Sequence, residues 1–247
     1  MDLETLQELQ RLPLVQKEVI TEMRIRDAIR QFGESRMYIS ISGGKDSQVM
    51  EHLIRNFEMK FYGKPVIPRV FVNTGLEYPE VRDVVDQIFD DLPDELCVEL
   101  EPKMTFTEVI TKYGYPVISK QVSRSIHDAR YGSPKLKEKS LGDGRYSIPI
   151  KWRRLINSDI PISSECCQIM KKNPVERYEA ETGRCCAVIG IMADEGGSRV
   201  DAYLRNGGCN AFDQAHPQSK CIGFWTQQDI LEYIYARYEN SEGLWRS

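Results

Sequence analysis

Ser42-Gly43-Gly44-Lys45-Asp46-Ser47 separates two patterned stretches of the chain. Before it, Met37-Tyr-Ile-Ser-Ile41 reads as a short buried strand. After it, Gln48 to about Phe57 reads as a helix, with Val49, Met50, Leu53 and Ile54 apolar at helical spacing. A strand, a glycine turn and a helix, in that order, open a parallel α/β unit. Two adjacent glycines let the backbone approach an anion closely, and the free amides at the helix start point at its oxygens. Lys45 adds a point charge, and Ser42 and Ser47 add hydroxyls. Asp46 can orient the turn or help to hold Mg²⁺. The Gly-x-x-x-x-Gly-Lys-Ser/Thr spacing of a Walker loop is not met, which removes the main support for a kinase or GTPase.

The pattern recurs. Val66 to Val72 reads as a second strand with a helix from about Pro79 to Phe89. Leu96 to Leu100 reads as a third, followed by helical Phe106 to Tyr113. Cys185 to Ile191 reads as a fourth, with a helix from about Gly197 to Arg205. Thr226 to Arg237 reads as a last helix, capped by Thr226. The expected fold is α/β, a doubly wound and mostly parallel sheet whose ligands sit beyond the carboxyl ends of the strands. Residues 1–33 read as an N-terminal helical segment, with Leu3, Leu6, Leu9 and Leu12 periodic and Pro13 interrupting. Residues 34–240 read as the main domain. Within it, 130–157 is rich in Gly, Ser, Pro and Lys and reads either as a lid or insertion over the site or as a loop without a role.

At 247 residues the chain can bury roughly 70–75% of its unfolded surface, so its core needs no disulfides. No apolar run reaches the length of a membrane span. The N-terminus shows no basic-then-apolar signal, so a cytoplasmic location is expected. The net charge of −4 is uneven. From Lys112 to Arg154, eleven Lys and Arg face three Asp and Glu, a local charge of +8. That block suits an anionic ligand or, equally, a solvated surface.

Seven cysteines in such a chain point to metal binding, catalysis or burial rather than a disulfide framework. Six lie between Cys166 and Cys221, and Cys97 stands apart on a strand. Cys166 or Cys167, one of Cys185 and Cys186, Cys209 and Cys221 could converge on an iron–sulfur cluster, which takes four thiolates. The candidate ligands are Cys167, Cys186, Cys209 and Cys221. Reduced structural thiols, a redox pair or a persulfide carrier are the other readings. His52, His127 and His216 are isolated and show no ligand spacing.

Ser-Gly-Gly-Lys-Asp-Ser after a strand resembles the PP-loop of the adenine nucleotide alpha hydrolases. Within that superfamily the chain is most similar to the phosphoadenosine phosphosulfate reductase family. Phe71-Val-Asn-Thr-Gly-Leu-Glu-Tyr-Pro-Glu80 resembles its Asp-Thr-Gly…Pro-Glu segment, with Asn73 in place of Asp. Ser119-Lys120 stands where members carry substrate-facing residues. Cys166-Cys167, Met170-Lys-Lys and Pro174 resemble its Cys-Cys…Lys…Pro stretch. Gly190 to Arg199, then Trp225-Thr226 and Asp229-Ile230, resemble its closing elements. The resemblance runs from about 37 to 235.

It implies that Ser42, Gly43, Gly44, Lys45, Asp46 and Ser47 hold phosphate or sulfate, with Lys45 and Asp46 catalytic. It implies that Asn73, Thr74, Gly75 and Glu77 lie beside the loop and that Lys120 and Arg199 contact the anion. The chain departs from the family in two places. Reductases carry a Glu-Cys-Gly-x-His end whose Cys attacks the sulfate, and no Cys follows Cys221. Of the two Arg in the family's Gly-x-Arg-x-x-x-Ser-x-x-Arg pattern, which begins here at Gly190, only the second remains, as Arg199, with Met192 and Gly196 in place of the first Arg and the Ser.

The functional expectation is a PP-loop enzyme of sulfur metabolism or sulfur transfer that binds phosphoadenosine phosphosulfate or ATP, with Mg²⁺ in the ATP case. One alternative is an ATP-dependent adenylating sulfurtransferase for nucleic acid with a cysteine-bound iron–sulfur cluster. Another is a nucleotide-binding module without turnover. A thiol reductant or sulfur-donor protein is the implied partner, a nucleic-acid acceptor is a further one, and a homo-oligomer is left open.

Overall fold

A computed structural model describes residues 1–144 and 146–239. Arg145 and residues 240–247 lie outside the described residues. In chain order the elements are α1 (Leu3–Gln10), α2 (Leu14–Phe32), β1 (Met37–Ile41), α3 (Lys45–Tyr62), β2 (Arg69–Val72), α4 (Pro79–Asp90), β3 (Cys97–Leu100), α5 (Phe106–Tyr113), α6 (Lys120–Tyr131), α7 (Pro134–Leu141), α8 (Asn173–Thr182), β4 (Cys186–Ile189), α9 (Ser198–Arg205), β5 (Asn210–Ala211), β6 (Gln218–Ser219) and α10 (Gln227–Glu239). The chain divides into two compact units. One comprises 1–71, 77–99 and 179–247, and the other 72–76 and 100–178.

The sheet runs β3-β2-β1-β4-β6-β5 among the described residues. β1 pairs in parallel with β2 and β4, β4 pairs in parallel with β6, and β5 pairs antiparallel with β6. The doubly wound, mostly parallel sheet expected from the sequence is therefore present. The strand order reverses between β1 and β4, where a crevice opens beyond the carboxyl ends of such strands.

In the first unit, Ile39, Ile41, Val49, Met50, Ile54, Val188, Phe224 and Trp225 belong to one apolar core. Two buried groups of paired charges are built into it. Arg69 on β2 is fully buried and meets Glu51 at 3.0 Å and Glu58 at 2.7 Å, both on α3. The Lys17 ammonium, 1% exposed, donates to Asp229 Oδ2 at 2.5 Å and to Gln10 O at 2.8 Å. Asp229 also accepts from the Thr226 amide at 2.6 Å, so the same carboxylate caps α10 and holds α2.

The second unit has its own small core of Ile126, Ala129, Ile148 and Ile162, with Trp152 and Leu155 against it. The stretch 130–157, read from the sequence as a lid or loop, contains α7 and a 3₁₀ turn at Ile150–Asn157. Arg130 donates to the carbonyls of Ile156, Ile160, Leu155 and Ser158. Arg153 does the same for Ile148, Leu141 and Gly142. Irregular backbone is thus satisfied by two guanidinium groups in place of a ladder.

Candidate functional site

The turn after β1 is closed by its own polar groups. The Ser42 amide donates to Ser47 Oγ at 3.0 Å, and Gln48 Nε2 donates to Gly43 O at 3.0 Å. Gly43 has φ +71°, and a Cβ there would lie 2.8 Å from both Cγ1 and O of Val81 on α4. Only glycine meets both demands. Gly44 is the N-cap of α3 and supplies no capping side chain. The first-turn amides of Lys45, Asp46 and Ser47 therefore have no intrahelical acceptor. They sit at the positive end of an 18-residue helix.

Lys45 is 43% exposed and donates to Asp46 Oδ1 at 2.6 Å and to Gln227 Oε1 at the start of α10. An arriving anion must compete with Asp46 for this ammonium. Gly190, just past β4, packs under the same turn. A Cβ there would lie 3.1 Å from Ser47 Cα and 3.2 Å from the Ser47 amide nitrogen. After Gly190 the chain carries Asp194, whose carboxylate accepts from the Gln227 amide at 2.8 Å. Glu195 accepts from the Met192 amide at 3.0 Å and pairs with Arg199. The Met192 side chain is buried in the core.

The remaining expected residues are placed as follows. Asn73, Thr74 and Gly75 belong to the second unit. Asn73 Oδ1 accepts from the Gly75 amide at 3.0 Å, and Gly75 has φ +74°. With Glu101, Met104 and Thr105 they line a cavity of about 360 Å³. Glu77 is half-buried in the first unit, ahead of α4. Lys120 opens α6 in the second unit, after the capping Ser119, whose hydroxyl accepts from the Val122 amide at 3.2 Å. The residue before that cap, Ile118, holds φ +65°.

The cysteines expected as cluster ligands lie in different settings. Cys186, Cys209 and Cys221 are buried, and Cys167 is half-buried at the start of a π-helical turn, Gln168–Lys172. Burial pushes the Cys186 and Cys221 thiols up to about 12 and raises Cys209, which also meets Tyr203 Oη at 3.3 Å. Among the described residues, no three or more His, Cys, Asp or Glu side chains gather as a metal group. Cys186, Cys209 and Cys221 belong to the apolar core of the first unit, and Cys209 also acts on the Cys221 thiol. Cys185 accepts from Arg36 at 3.2 Å.

Sequence reasoning missed Gln48, Asp194, Gln227 and Gly190 as builders of the loop. The Gln48 bond is local, and its five-residue spacing from Gly43 was a usable signal. The other three join the loop only through the fold.

A family model for the phosphoadenosine phosphosulfate reductase domain matches residues 36–127. An adenosine 5'-phosphosulfate reductase of Staphylococcus haemolyticus is 24% identical over 209 residues, which is 84% of this chain and 63% of that protein. One of Geobacillus kaustophilus is 22% identical over 213 residues, 85% of this chain and 67% of that protein. This chain thus spans less than two thirds of the first relative's length. A solved phosphoadenylyl-sulfate reductase of Candida auris, in a phosphate complex, aligns with all of this chain and 97% of its own, at 15% identity and a TM-score of 0.49.

Proposed function

We propose, from the premise that this chain belongs to the phosphoadenosine phosphosulfate reductase family, that it binds an adenine sulfonucleotide and transfers the sulfur group to a thiol. The observation that carries this reading is the turn at 42–47. It offers uncapped amides and one ammonium at the positive end of α3, inside a backbone locked by Ser47, Gln48 and Gly190. Such a cradle stabilises charge that grows on phosphate or sulfate oxygens without having to rearrange.

The step is a displacement at sulfur. A thiolate forms a bond to the sulfur, the bond from sulfur to the bridging oxygen breaks, and the nucleoside phosphate leaves with the electron pair. A second thiol then forms a disulfide with the first and releases sulfite. The thiols come from a protein or small-molecule reductant. Within the chain, the loop amides and Lys45 hold the anionic end and neutralise the leaving oxygen. Arg199, in the same unit as the loop, is assigned to the rest of the ligand. The two relatives named as adenosine 5'-phosphosulfate reductases support the sulfonucleotide over ATP.

Calorimetric competition between a sulfonucleotide and ATP with Mg²⁺ tests the assignment, followed by an assay of thiol-dependent sulfite release. Tighter sulfonucleotide binding with sulfite release is expected. Preference for ATP would move the reading to adenylation of an acceptor, and failure of both to bind would overturn it.

A further inference from the structure

The second unit carries a basic surface that the loop chemistry does not use. α6 and α7 border a cavity of about 520 Å³ whose lining includes Lys120, Arg124, Ser125, Asp128, Lys139 and Tyr146. Three cations there face one carboxylate. Asp128 is itself approached by Arg124 at 3.9 Å and by His127 at 4.0 Å. Tyr146 is 49% exposed, and its main-chain carbonyl accepts from Ser125 Oγ at 2.8 Å. The Lys139 ammonium lies 4.3 Å from the Tyr146 ring centroid.

The same pairing of cation and ring recurs in this unit. Lys112 lies over Tyr113 at 5.1 Å, and Lys151 over Trp152 at 5.3 Å. Tyr131, at the end of α6, is also exposed. Arg130 and Arg153 are bonded to backbone carbonyls, but Lys120, Arg124, Lys135, Lys137, Lys139, Lys151 and Arg154 are exposed. A free nucleotide needs one such pair. Several, in an otherwise acidic chain, suit a polymer with a charge and a flat base at each step.

We propose that the α6–α7 face binds single-stranded nucleic acid, with phosphates at Lys139, Arg124 and Lys120 and an unpaired base stacked on Tyr146. Stacking requires a base freed from pairing, so a duplex should bind less tightly. The proposal uses none of residues 42–47; it shares Lys120 with the anion contacts that the family resemblance implies, so its test variants are placed at Lys139 and Tyr146, which that resemblance does not assign.

The test is fluorescence anisotropy of labelled 20-mers of deoxythymidine and uridine with the full chain, from low to physiological salt. Affinity should fall with salt at a log–log slope of about −2, from three phosphate contacts at about −0.7 each. Lys139→Glu should weaken binding at least fivefold, and Tyr146→Ala by about 5- to 100-fold. Both should keep the wild-type melting temperature and sulfonucleotide affinity. Lys60→Glu, a reversal on the first unit, should change oligonucleotide affinity less than twofold. The proposal is overturned by no binding at low salt, by equal loss in Lys60→Glu, or by a duplex bound as tightly as a single strand. Displacement of the oligomer by tripolyphosphate at equal phosphate concentration would also overturn it, since that marks a plain phosphate pocket.

Discussion

The ammonium of Lys45 is shared between Asp46, its neighbour in sequence, and Gln227, 182 residues further along. The loop's one cation is therefore positioned by α10 and partly neutralised by its own helix. Lys45→Ala should lower nucleotide affinity by about 10- to 100-fold, the range of a charged hydrogen bond worth about 1.5–3 kcal/mol. Gln227→Ala should change it less than fivefold. Calorimetry reads both, and the exposed Lys45 side chain means that melting should hardly move.

Asp46→Asn separates the two nucleotide chemistries. With a sulfonucleotide and no metal, removing the competing carboxylate should raise affinity a few-fold. Had the ligand been ATP with Mg²⁺ held by Asp46, the same variant would bind more weakly. One titration series with and without Mg²⁺ decides.

Gly43 and Gly44 should behave differently. Gly43→Ala must hold φ +71° and place a methyl 2.8 Å from the Val81 carbonyl. A loss of about 1–3 kcal/mol in urea unfolding is expected, together with loss of nucleotide binding. Gly44→Ala has φ −74° and its nearest foreign atom is Ser42 Oγ at 3.6 Å, so stability should stay within about 0.5 kcal/mol. Its methyl would still stand in the anion's approach and weaken binding.

Much of this site is legible in the sequence, and what is not has a common physical cause. The strand at 37–41, the glycine turn and the helix after it show because hydrophobic period changes there from 2 to 3.6 over a few residues. Helix α5 falls at 106–113 as its periodicity predicts. Lys17 and Arg69 do not show, since a charged residue inside an apolar pattern reads as a surface position until its partner is known. Asp229 lies 212 residues from Lys17. β5 and β6 have two residues each, too few for any period. Helix α7 is hidden by a stretch rich in Ser, Gly, Pro and Lys, and Arg130 and Arg153 then organise the irregular chain beside it.

Lys17→Met keeps the bulk but leaves the Asp229 carboxylate without its buried cation. Unfolding in urea should show a loss of about 3–5 kcal/mol, the usual result of breaking one side of a buried pair. A change under 1 kcal/mol would mean that water reaches Asp229.

The buried thiols set an alkaline limit. Cys186 and Cys221 are pushed from 9.0 to about 12 by burial. The folded state thus keeps its protons where the unfolded chain has lost them. Their contribution is complete below pH 9 and declines as pH rises from about 9 to 12. Urea midpoints should fall over that range, and Cys186→Ala should flatten the decline. At pH 8, iodoacetamide should modify Cys166, Cys167 and Cys185 in the native protein well before Cys186, Cys209 or Cys221.

The bare Cα of Gly190 has a mechanical consequence for the loop. Chain continuity ties the turn at 42–47 to one strand, but the end of a second strand props it from beneath, at the closeness of a hydrogen atom. A seat supported from two sides has little freedom to yield. Ligands should then be sorted by how well their own anionic groups match a fixed shape, and binding should leave little trace in the loop's mobility.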